Sequence, residues 1–174
     1  MANTREKPVS ATNNDANVAQ SEKRIVPKKI DLNQYITVRN GFQGRLVYKS
    51  SRTGEKFVWD GFGAEQEREL HELRNAKNSN KKFFVNNWFM FDDDWVVDYL
   101  GVRQFYKNAI KVEEFDALFD KPIEELQQII AGMSEGQKKS LIYRARELVV
   151  SGEIDSRKMI TALEESLGIE LIEK

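Results

Sequence analysis

Residues 83–99 read FFVNNWFMFDDDWVVDY and hold seven rings, Phe83, Phe84, Trp88, Phe89, Phe91, Trp95 and Tyr99, of a chain with 10 Phe, 5 Tyr and 3 Trp. Rings at this density beside three consecutive aspartates leave two arrangements. The stretch is the heart of a small core or a patch for another protein, because each ring buries a large area and aromatic anchors are enriched at interfaces. Seven rings exceed what three short strands and two short helices need, so the expectation is a mixed role. Trp88, Phe89, Phe91 and Trp95 are then the partner-contacting members. Asp92, Asp93 and Asp94 stand where N-cap and first-turn acids belong ahead of WVVDYLGV. A hard cation also takes oxygen ligands, but no EF-hand spacing follows the triplet, and capping is preferred to a metal site.

Upstream lie YITVRN, GRLVYKS and EKFVWD, three short runs rich in β-branched and aromatic residues. Alternation puts Ile36 with Val38, Leu46 with Tyr48, and Phe57 with Trp59 on shared faces. NGFQG and SSRTG supply the glycines that tight connections need. These runs read as a three-stranded antiparallel meander over residues 34–60, which cannot bury its apolar face unaided. GFG at 61–63 breaks the chain. AEQERELHELRNAK then has helical propensity, with Leu70 and Leu73 at i,i+3 spacing, and FFVNNWFMF reads as a strand or an irregular loop.

Strand signals stop near Arg103. VEEFDALFD, PIEELQQIIAGM, SEGQKKSLIYRARELVVSGE and DSRKMITALEESLGIE are four helical patterns in succession. Pro122 suits a first helical position and Gly132 a stop. Ser134 opens the third pattern, with an apolar stripe of Leu141, Ile142, Ala145, Leu148 and Val149, and Asp155 or Ser156 caps the fourth. The expected fold class is α+β: a short antiparallel β-meander with an aromatic-rich helical or loop cover, a C-terminal helical subdomain, and an extended N-terminal arm. The expected boundaries are 1–33 for the arm and linker, 34–102 for a β-rich docking domain, and 103–174 for the helical subdomain.

Residues 1 to about 24 carry almost no large apolar side chains and read as a flexible arm, since they cannot offset their ordering entropy by burial. They contain no apolar run of signal-peptide length, so the product is expected to remain in the cytoplasm where it is made, with no membrane partner. The formal charge of -1 from 27 basic and 28 acidic residues provides no overall field toward nucleic acid. Local charge is different. KRIVPKK at 23–29 is purely basic, and Lys23, Arg24, Lys28 and Lys29 are expected to touch an acidic partner or phosphate.

Enzymatic chemistry finds little footing. The chain has no Cys and one His, His71, which excludes thiolate chemistry and paired-histidine zinc sites and reads as a solvated helix residue. No G-x-S-x-G elbow or phosphate-binding glycine loop occurs, and no catalytic residue, cofactor or metal is expected. Nucleic-acid binding is the less favoured alternative. Lys138, Lys139, Arg144, Arg146, Arg157 and Lys158 flank a helix–turn–helix-like SGEID connection, but Glu135, Glu147, Glu153, Glu164 and Glu165 interrupt any basic face.

TVRNGFQGRLVYKSSRTGEKFVWDGFG, followed by a leucine-bearing helix and NNWFMFDDDWVVDYLG, resembles small accessory structural proteins of tailed bacteriophages. The similarity spans about residues 35–172 and is carried by Val38, Arg39, Asn40, Val47 and Tyr48, in a V-R-N strand and a strand ending V-Y. This chain departs from them in its longer arm and richer aromatic segment. The resemblance implies a virion component without catalytic residues, made in the host cytoplasm. Its partners would be other virion proteins, major capsid or connector subunits, in a homo-oligomer or lattice. An assembly chaperone or adaptor absent from the mature particle is a further alternative.

Overall fold

A computed structural model describes residues 29–172 and has an α+β fold. Strands β1 (Tyr35–Asn40), β2 (Leu46–Lys49) and β3 (Lys56–Trp59) form where alternation indicates. Their partners differ from a meander. β2 and β3 make a separate two-stranded hairpin, while β1 is the centre of an antiparallel sheet between β4 (Glu65–Glu69) and β5 (Phe89–Phe91). β4 corrects the helical expectation for AEQERE, and α1 (Leu70–Ser79) starts only after it. The physical reason is the open edge of β1. Pairing there puts Glu65, Glu67 and Glu69 opposite Arg39, Thr37 and Tyr35, so tertiary pairing overrides glutamate's helical preference.

The hairpin is tied to the sheet by side chains. Trp59 Nε1 donates to the Val38 carbonyl at 2.9 Å, Gln66 Nε2 donates to the Val58 carbonyl at 3.0 Å, and the Arg68 guanidinium lies 3.8 Å from the centre of the Phe57 ring. Its turn uses Gly54 at φ +76° and the Ser50 hydroxyl, which accepts from the Arg52 and Thr53 amides. Asn40 is fully buried and organises two further turns. Its Nδ2 donates to the Gly44 and Gly61 carbonyls, both at 2.7 Å, and its Oδ1 accepts from the Phe42 amide at 2.8 Å.

The aromatic segment splits into α2 (Lys82–Val85), β5 and α3 (Asp94–Tyr99), with α4 (Arg103–Tyr106) following. Phe89 is its hub: the rings of Tyr48, Trp59, Phe83 and Phe84 lie 4.8 to 5.6 Å from it. Asp93 occupies the α3 N-cap without a side-chain cap bond, Asp94 stands in the first turn, and Asp92 is taken by Arg39. Capping therefore accounts for only part of the triplet.

Beyond α4, VEEFDALFD forms two 3-10 turns, Val112–Glu114 and Asp116–Asp120, in place of the expected α-helix. A three-residue repeat stacks i and i+3, which lets Phe115 and Leu118 both enter the core before Pro122. α5 (Ile123–Gly132), α6 (Glu135–Ser151) and α7 (Arg157–Leu167) follow. Pro122 sits at the α5 N-cap, one residue before the expected position, and Ser134 and Ser156 cap α6 and α7 through their hydroxyls.

Buried apolar residues form two clusters, one between Ile36 and Val102 and one between Phe115 and Leu171. They meet along the first turns of α6. The Ser140 hydroxyl donates to the Gly41 carbonyl at 3.0 Å and accepts from the Gln43 amide at 3.1 Å, and the Gln137 amide group pairs with both backbone groups of Ile110. Phe62 crosses from the sheet side to pack on Phe115, ring centres 4.9 Å apart.

Candidate partner-binding surface

The expected site residues separate into three groups. Lys23, Arg24 and Lys28 lie outside the described residues, and Lys29 is exposed. Phe89 and Phe91, exposed by 1% and 7%, are core residues, which corrects their assignment to a docking patch. β5 is the strand that pairs with β1, and its register puts Phe89 and Phe91 opposite Asn40 and Val38, on the sealed face of the sheet. Trp88 and Trp95 remain partly exposed. Trp88 packs edge-on against Phe83 and Phe42 at 5.5 and 5.9 Å, with Lys82 Nζ 6.0 Å above its ring, and Trp95 leans on Tyr99 at 6.4 Å.

Buried and clustered charges are largely neutralised within the fold. Glu72 is 4% exposed, yet its carboxylate accepts from the Tyr48 hydroxyl at 2.7 Å and from Arg52 Nε at 3.3 Å. Burial raises its pKa, but bonds from Tyr48, Ser50, Asn75 and Arg52 outweigh this and hold it below the ordinary glutamate value. Burial and the bond to Glu72 push the Tyr48 hydroxyl well above its ordinary value, so it remains a donor.

Arg39 of the V-R-N strand is a second hub. Its Nε donates to Asp92 Oδ1 at 2.7 Å and lies 3.3 Å from Glu113, its Nη2 donates to Asp92 Oδ2 at 3.1 Å, and Nη1 reaches Glu65. The Asp92 bond, opposed by burial, raises the arginine's pKa further. One side chain thus joins β1, β4, the turn before α3 and the first 3-10 turn.

The same 3-10 region builds a concave feature along α6. Two clefts, about 380 and 300 Å³, share Asp116 and Arg144 as lining residues. The first adds Gln43, Phe62, Val112 and Glu113, and the second adds Phe119, Asp120, Leu148, Glu153 and Ile154. Arg144 holds Asp116 bidentately at 2.8 and 2.7 Å, and this bond drives the Asp116 pKa down. Gln43 Oε1 is buried here without a hydrogen-bond partner. These acids were not singled out as site residues from the sequence. The available signal was the alternation of acids with large apolar residues in VEEFDALFD, which a helical reading spreads round a cylinder.

In the helix–turn–helix-like region three of the six basic residues are held within the fold, while Lys139, Arg157 and Lys158 are exposed. Lys138 pairs with Glu135 at 3.1 Å, Arg144 with Asp116 and Glu147, and Arg146 donates to the Glu170 carbonyl at 3.3 Å. His71 lies 3.2 Å from Glu69 and beside the Leu32 carbonyl. Among the described residues no group of three or more His, Cys, Asp or Glu is placed to hold a metal ion, and no helix is long and apolar enough to cross a membrane. No protein-family model, curated protein or solved structure matches this chain.

Proposed function

We propose that the chain is a non-enzymatic structural component of a tailed-phage particle, a capsid decoration, vertex or head-to-tail protein that engages neighbouring subunits through its N-terminal arm. The observation that supports this most is where the basic segment joins the body. Ile30 packs on the first core, and the Leu32 and Gln34 carbonyls accept from the His71 and Leu70 amides at 2.9 and 3.0 Å. Residues 1–28 therefore leave from a fixed point on a body whose two cores are locked along α6. Trp88 and Trp95 provide half-open rings on the same body. The extensive internal pairing of Arg39, Glu72 and Arg144 favours a surface-complementarity role over proton-transfer chemistry and over phosphate binding by α6.

Limited trypsin digestion tests the reading. Lys23 and Arg24 are expected to be cut in the free protein and protected in purified particles. Equal cleavage in both states overturns the arm's role, and absence of the chain from purified particles overturns the virion assignment in favour of a chaperone or adaptor.

A further inference from the structure

We infer that the outer edge of β2 is a docking strand for an extended, acid-bearing segment of another protein, one with a carboxylate at every second residue. The inference goes beyond the arm's role and does not depend on it.

The backbone defines the site. β2 pairs with β3 alone. In an antiparallel pair, hydrogen-bonded and non-hydrogen-bonded positions alternate, and the main-chain groups of the latter point away from the partner strand. The Ser50 amide donates to the Glu55 carbonyl at 2.8 Å, so by alternation Tyr48–Phe57 is a bonded pair, whereas Val47–Val58 and Lys49–Lys56 are not. The N–H and C=O groups of Val47 and Lys49 therefore project from the outer edge of β2, where they have no hydrogen-bond partner among the described residues. The corresponding edge of β3 is closed at its Val58 carbonyl, which accepts from Gln66 Nε2.

Side chains select the occupant. Val47 is 47% exposed on the outer face of the hairpin. Beside it Lys49 stands directly opposite Lys56, and both are exposed without a salt bridge among the described residues. Arg45, at the other end of the face, is held by Asp60 at 3.3 Å. Like charges directly opposite one another destabilise a ladder. A lysine on an open edge guards it against self-pairing, which accounts for Lys49. Lys56 lies on the other strand, so guarding does not account for it, and the pair concentrates positive charge beside the open edge. A second copy's β2 would bring the same lysines to the same face, and KRIVPKK at 23–29 is itself basic, so charge disfavours both as occupants. An incoming strand with acids at alternate positions lays its carboxylates over Lys49 and Lys56 while its main chain bonds Val47 and Lys49.

The test uses the isotope-labelled full chain and the peptide acetyl-TETETET-amide, with hydrogen exchange followed residue by residue. At saturation the Val47 and Lys49 amides are expected to exchange at least about tenfold more slowly. The same peptide with every amide N-methylated, or with Lys in place of Glu, is expected to bind without saturation and leave exchange unchanged. K49E/K56E should reverse the preference, toward the lysine peptide. Both positions are exposed, so circular dichroism of K49E/K56E is expected to match the parent. Unchanged exchange with the acidic peptide overturns the inference and leaves the lysines as guards of the edge. Equal binding of the N-methylated peptide also overturns it, because attraction of charge would then suffice without strand pairing. Slowing that persists undiminished in K49E/K56E overturns the acidic character of the partner.

Discussion

Gly136 lies so close to Asn86 that a Cβ added to it would sit 2.1 Å from the Asn86 carbonyl oxygen and 2.5 Å from the Asn86 Cβ. This contact brings the second residue of α6 against the end of α2, and so the helical core against the aromatic core. Only a residue without a side chain permits it.

Gly136→Ala should therefore destabilise. In an unobstructed helix the change gains up to about 1 kcal/mol. Here the obstructing atoms are backbone, and overpacking of this kind costs about 1 to 3 kcal/mol, which leaves a net loss. Urea unfolding followed by tryptophan fluorescence and by far-UV circular dichroism reads the change at both cores. Unaltered or increased stability would show that the two cores are not in contact at this point.

The Tyr48–Glu72 bond gives stability a defined pH dependence. Glu72 has a folded-state pKa below its unfolded value, so its contribution is complete above the unfolded value, about 4.3, and is lost as pH falls through the folded one. Tyr48→Phe should lower stability at pH 7 by about 1 to 3 kcal/mol, because a buried carboxylate loses its shortest bond. It should also make the acid loss smaller and end it at a higher pH, since one of the bonds that hold the Glu72 pKa down is gone. Glu72→Gln should flatten the acid limb of the stability curve. An acid limb identical to that of the parent in both variants contradicts the assignment.

Rings only residues apart in the sequence should respond differently to truncation. Phe89→Ala removes the hub of the aromatic cluster and should cost about 3 to 5 kcal/mol. Trp95→Ala, at a partly exposed site on α3, should cost less than about 2 kcal/mol and leave the circular dichroism spectrum unchanged. Under the proposed function its loss should appear in incorporation into particles. Comparable destabilisation by the two substitutions would mean that Trp95 belongs to the core.

The elements differ in how openly the sequence declares them. β1 and β2 are legible because their side chains alternate between core and solvent, β3 because it is short and rich in aromatic and β-branched residues, and α6 and α7 because Ser134 and Ser156 supply caps that any isolated helix would use. These signals act over a few residues. β4 is hidden because Glu65, Glu67 and Glu69 are helix formers, and only the row opposite them, Tyr35, Thr37 and Arg39, makes a strand of them. In hindsight the alternation of glutamates with Gln66 and Arg68 is its one local trace. The cleft beside α6 is hidden for a similar reason: Glu113 and Asp116 come together with Gln43 and Arg144 only when the two cores dock.

By itself the sequence determined an α+β fold, most of its helices, three of its strands, and a basic segment ahead of the first of them. Propensity, capping and alternation are local energies, and they are fully present in short windows. The tertiary structure decided which strands pair, which of the clustered rings are sealed, and where acids gather into a groove. Those outcomes depend on backbone edges and side chains from distant segments competing for the same partners, as when Phe89 takes the centre of the core and leaves Trp88 and Trp95 half-open to solvent.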